Sequence, residues 1–192
     1  PTRLCISDAC PWGIAGYSLR GRAWRIVIPH CTPLRGDNRF NNLFKFIGTA
    51  VTAWLECLDS DNEAEVCILA LGNNTSALGW IYCSSRVKPT SMSYKAIQMV
   101  PRHLASVFLD STHCLASQHL KGDHNVVADL LSFAGHDREK PHPLAADNPS
   151  DHVLTQRFHK FLHSQIPANF AISPLSPEIL SWTSQVLQTA ES

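Results

Sequence analysis

The chain has 192 residues, long enough for one α/β domain with an appendage and short for two full domains. Hydrophobic residues make up 44% and charged residues 17%, with five Trp and eight Phe, a balance that excludes a disordered chain. Lys plus Arg and Asp plus Glu both number 16, so any attraction to nucleic acid has to come from a local basic patch.

The first 28 residues predict three strands. These are RLCIS running up to Asp8, GIAGYSL and RAWRIVI, separated by the turn signals Pro11-Trp12-Gly13 and Arg20-Gly21-Arg22. The spacing of Leu43, Ile47, Ala50, Val51, Trp54 and Leu58 then predicts an amphipathic helix over 41–58. VCILAL at 66–71 is a continuous apolar run ending at Gly72, the pattern of a strand buried on both faces. A short helix over 76–82 follows, then a helical periodicity over 94–109 interrupted by Pro101, a strand over 113–119 and a helix over 125–133.

From 134 to 150 the chain turns polar and carries Pro141, Pro143 and Pro149, which places a linker or wrapping arm at 135–150 after a main domain at 1–134. Residues 151–192 are expected to form a C-terminal helical extension. Its helices lie at 151–163 and 177–187, the second started by Ser176 as N-cap, Pro177 in the first turn and Glu178 near the positive end of the helix dipole. This order of elements calls for an α/β fold with a mixed sheet and helices on its faces.

The seven Cys are odd in number and scattered, and several sit inside apolar runs, which suits reduced core thiols rather than a disulfide framework. No apolar stretch is long enough to span a membrane. The expected compartment is therefore intracellular, cytoplasm or nucleus, with secretion of a longer precursor left open. The overlapping sequons at Asn73 and Asn74 would matter only in a secreted protein.

Four segments, taken in order, resemble the ribonuclease H family. Cys5-Ile6-Ser7-Asp8-Ala9, with Gly13 and Gly16-Tyr17 after it, resembles the first strand, its catalytic Asp and the glycine-containing turn. NNLFKFIGTAVTAWLECL at 41–58 resembles the helix that carries the catalytic Glu, and Lys45 stands at that position. LALGNNTSALGW at 69–80 resembles the strand end that supplies a second Asp, and Asn73 stands there. QHLKGDHNVVADLLS at 118–132 resembles the His-containing loop and final Asp, with His119, Asn125 and Asp129 in matching places. The tail at 147–182 resembles the segment that follows the ribonuclease H domain in DIRS-type, tyrosine-recombinase retroelements.

The resemblance implies a ribonuclease H-like mixed five-stranded sheet from a reverse transcriptase polyprotein. It also implies two Mg²⁺ ions about 4 Å apart, which activate water and stabilise the leaving oxygen as the RNA strand of an RNA–DNA hybrid is cut. Here only Asp8 and Asp129 remain of four carboxylates. A protonated lysine has no lone pair for a metal and repels the ion, and an amide supplies no negative charge. The expectation is no cofactor, or at most one weak ion at Asp8 and Asp129, with His119 a remnant of product release or proton shuttling. Glu56, on the same helix face as Lys45, lies roughly 16 Å further along the axis and cannot replace the lost Glu. A zinc site built from His152, His159 and His163 lacks a completing ligand.

Arg20, Arg22, Arg25, Arg35 and Arg39 cluster around the first strands, near Trp12, Tyr17 and Trp24. With Asn41 and Asn42, the first three of these arginines form a candidate surface for a hybrid or other nucleic acid. The expected function is a catalytically impaired ribonuclease H-like domain retained for protein interaction, including recognition of a pathogen-derived protein by a host. The alternatives are a residual metal-dependent nuclease and nucleic-acid binding without cleavage.

Overall fold

The structure, a computed structural model, describes residues 1–60, 65–109, 111–133 and 171–192. Among these residues the chain is α/β: a mixed sheet with helices on both faces. The strands are β1 (Arg3–Cys10), β2 (Gly13–Ser18), β3 (Arg22–Val27), β4 (Cys67–Gly72), β5 (Cys114–His119) and β6 (Ala171–Ile172). The helices are α1 (Asn41–Leu58), α2 (Thr75–Cys83), α3 (Tyr94–Leu109), α4 (Val126–Ser132) and α5 (Pro177–Glu191).

The strand order is β5-β4-β1-β2-β3-β6. β1, β2 and β3 form the expected antiparallel meander, while β4 runs parallel to β1 and β5 parallel to β4. Five strands were expected from the sequence. The sixth is two residues long, Ala171 and Ile172, and lies parallel to β3 opposite Arg22 and Ala23. A segment so short carries no alternation of apolar and polar residues, so periodicity misses it. β1 runs on past Asp8 because Ala9 and Cys10 pair with Ile14 and Gly13 in the hairpin.

α1 is buried almost all round, as expected of a helix with neighbours on several sides. Its Leu43, Phe44, Ile47 and Val51 share one core with Ala9, Ile14 and Trp24 of the sheet and with Ile97 and Val100 of α3. Filling each such site is worth about 1.5–3 kcal/mol per large apolar side chain. Gly16 is what lets α1 come this close, since a Cβ there would lie 2.4 Å from Thr52 Oγ1. α4 covers the opposite face, where Val127 and Ala128 meet Ile6, Tyr17 and Ala23.

α3 is one continuous helix although Pro101 lies inside it. The ring removes one backbone donor and crowds the preceding turn. Ala96, Ile97, Val100 and Leu104, all buried, hold the helix on the core through that defect. α5 begins as its cap predicts, with Ser176 Oγ accepting from the Ile179 N–H at 3.3 Å and Pro177 in the first turn.

The tail set apart by the sequence is joined to the rest in its described part, 171–192. Ile179, Val186, Leu187 and Ala190 of α5 enter the main core. His103 of α3 stacks on Trp182 of α5 with ring centroids 4.7 Å apart, and lies edge-on to Trp54 of α1 at 4.2 Å. The segments expected as linker and as the helix at 151–163, and with them His152, His159 and His163, lie outside the described residues.

Candidate functional site: Asp8 and the groups that close on it

Asp8 lies in the second half of β1, 2% exposed, beneath the start of α1 and beside α4. Lys45, one turn into α1, places its Nζ 2.8 Å from Asp8 Oδ1. Asn73, just past the end of β4, accepts from Lys45 Nζ through Oδ1 at 2.7 Å and donates from Nδ2 to Asp8 Oδ2 at 2.9 Å. The three side chains thus form a closed ring. The Ala9 N–H adds a bond to Oδ1 at 2.8 Å, and Asn125 Nδ2 adds one to Oδ2 at 3.1 Å while also donating to the Ser7 carbonyl at 3.1 Å.

Each oxygen of Asp8 therefore accepts from two donors. Burial pushes the Asp8 carboxyl above the usual carboxylate range, the charge and hydrogen bond of Lys45 and the Ala9 N–H pull it back down, and nearby Asp129 pushes it up again. Asp129 stands in the first turn of α4, whose amide donates to the Asn125 carbonyl at 3.1 Å. Asp129 is thus electrostatically coupled to Asp8.

The residues present do not fit a pair of magnesium ions. A hard cation binds through oxygen lone pairs, and those of Asp8 are directed at four donors, one of them an ammonium. Among the described residues no group of three or more His, Cys, Asp or Glu side chains converges in a way that would hold a metal.

The other residues marked in the sequence divide into those near the ring and those away from it. Asn42 accepts from Asn74 Nδ2 at 2.7 Å, and Asn74 caps α2 by accepting from the Ala77 N–H at 2.8 Å, so α1 and α2 are tied together beside Asn73. Asn74 was missed as a cap although an Asn directly before a helix is its usual signal. The Oδ1 atoms of Asn41 and Asn125 are buried without a hydrogen-bond partner. His119 is exposed at the end of β5, opposite Gly72 in the strand register. Glu56 is buried near the far end of α1 and takes no part.

On the basic surface, Arg20 and Arg25 are exposed, whereas Arg22 donates to Asp59 at 2.8 Å and Arg39 pairs with Asp37 at 2.6 Å. Arg35 is turned inward and donates to the Ile28 carbonyl at 2.6 Å. Tyr17 and Trp24 are core residues, 5% and 1% exposed, and so cannot serve as stacking platforms. The apolar positions of strands β2 and β3 claim both rings for packing. No helix among the described residues is long and apolar enough to cross a membrane. No protein-family model matches the chain, and no curated protein sequence matches it significantly.

Proposed function

We propose that this chain is a ribonuclease H-like domain of retroelement origin in which an internal ion pair has taken the place of the catalytic metals, and which acts by contact with another protein rather than by hydrolysis. The observation that carries the reading is the 2.8 Å pair between Lys45 Nζ and Asp8, inside a ring that leaves neither carboxylate oxygen open. The arrangement of the sheet supports it as well: an antiparallel meander followed by two parallel strands, with helices on both faces, agrees with the fold that the sequence resemblance implies. A domain that stays folded around a closed site has its surfaces left to use.

The test is cleavage of a labelled RNA–DNA hybrid in Mg²⁺ or Mn²⁺. The purified chain is expected to leave the hybrid intact, and the double substitution Lys45→Glu with Asn73→Asp is expected to introduce metal-dependent cutting. Robust cleavage by the unaltered chain, abolished by Asp8→Ala, would overturn the reading and favour a residual nuclease using Asp8 and Asp129. The exposed Arg20 and Arg25 favour a second reading, binding of a hybrid without cleavage. It requires an affinity that falls steeply with salt, and absence of binding at low salt would remove it.

A further inference from the structure

The seven cysteines do not share one environment. Cys5, Cys10 and Cys57 are buried, as the sequence suggests for core thiols, but Cys67 and Cys83 are half-buried and Cys31 and Cys114 are exposed. Cys67 and Cys114 stand apart from the rest because they open β4 and β5 and face each other as the first pair in the parallel register. The Cys114 N–H bonds the Val66 carbonyl at 2.9 Å, so the two strands are already hydrogen-bonded at this end.

Neighbouring strands lie about 4.7–4.9 Å apart, inside the Cα separation of about 4.4–6.8 Å that a disulfide spans. Directly paired residues also project from the same face of a sheet. The neighbouring Cys67 thiol, more than burial, raises the Cys114 thiol above its usual range. All seven thiols are free in this structure.

We propose that Cys67 and Cys114 are a redox pair that a peroxide converts into a disulfide linking the starts of β4 and β5. In the first step the Cys114 thiolate attacks one peroxide oxygen. An S–O bond forms, the O–O bond breaks, and the departing hydroxide takes a proton and leaves as water. In the second step the Cys67 sulfur attacks the sulfenic sulfur of Cys114. The S–S bond forms, the S–O bond breaks, and the hydroxyl leaves as a second water. Two thiols lose two electrons and two protons, and hydrogen peroxide is reduced to two waters.

Cys114 is the first sulfur to react because it is exposed, and Cys67 is the resolving one. Thiolate is the reactive form, and the neighbouring Cys67 thiol disfavours it, so oxidation speeds up from neutral to mildly alkaline solution. The link would hold β4 at its start, one strand length before Asn73, without touching the ring around Asp8.

The experiment uses the whole chain carrying Cys31→Ser, which removes an exposed thiol outside the pair. After treatment with hydrogen peroxide, thiol titration in denaturant is expected to fall by two. Mass spectrometry without reductant should find the Cys67 peptide joined to the Cys114 peptide, and dithiothreitol should separate them. In a Cys67→Ser variant the same treatment should leave Cys114 as a sulfenic acid that dimedone captures. Oxidation of Cys114 to sulfinic acid with Cys67 still free in the unaltered pair, or no loss of either thiol, would overturn the proposal.

Discussion

Asp8 and Glu56 are carboxylic acids 2% and 1% exposed, one beneath the first turns of α1 and the other in its last turns. Around Asp8 the fold gathers an ammonium, a backbone N–H and two amide nitrogens. Around Glu56 it supplies little: Oε2 has no hydrogen-bond partner. Burial and the charge of Asp59 push the Glu56 carboxyl up, while a bond from Ser18 and the charges of Arg3 and Arg20 act the other way. Burial raises both carboxyls, but the surroundings differ: Asp8 has an ammonium and three N–H groups to answer its charge, whereas Oε2 of Glu56 has no partner.

The sharpest way to break this contrast is to remove the cation. Lys45→Met leaves Asp8 buried without its counter-charge, and truncating one member of a buried pair costs about 3–5 kcal/mol. Urea unfolding monitored by circular dichroism would measure the loss, and a cost below about 1 kcal/mol would show that the amide donors suffice alone.

Glu56→Gln should be far milder, within about 1 kcal/mol in acid, where the native carboxyl already carries its proton. The pH dependence then distinguishes the two ends of α1. A raised folded-state pKa means that the stability Glu56 contributes is complete below its ordinary value of 4.5 and is lost as pH rises through the raised value. The difference in unfolding free energy between variant and parent should therefore move in the variant's favour from acid to neutral pH. A constant difference would mean that Glu56 is no harder to ionise in the fold than out of it.

The smallest effect belongs to His103, whose Nε2 is buried without a partner between Trp54 and Trp182. Burial lowers its pKa from 6.5, with Glu178 of α5 pulling the other way. The folded state binds fewer protons, so stability should decline as pH falls below 6.5 toward the lowered value. His103→Phe should remove that decline, visible as a flatter plot of thermal midpoint against pH. A plot that keeps its slope would assign the proton uptake to another group.

Much of this was legible in the residues. The helix at 41–58 agrees with its periodicity at both ends, and the meander was marked by its turn signals, because both patterns are local. Lys45 and Asn73 were marked in the sequence only as departures from a resemblance. What stayed hidden was cooperative geometry. That Asn73 would turn one end of its amide to Lys45 and the other to Asp8, and that Asn125 would supply the fourth donor, depends on four elements meeting in space. The burial of Tyr17 and Trp24 was hidden for the same reason, since an aromatic ring in a strand reads alike whether it faces solvent or core.

The two residues of β6 have a consequence out of proportion to their length. Without them β3 would be an outermost strand, with its N–H and C=O groups free to template a strand from another molecule. Ala171 and Ile172 occupy part of that row, and the Ser173 N–H extends the pairing to the Ala23 carbonyl at 2.8 Å. A chain cut before residue 171 would lose this selvage together with the apolar face of α5, so clumping would accompany loss of stability. The tail covers part of a strand edge as well as filling the interior.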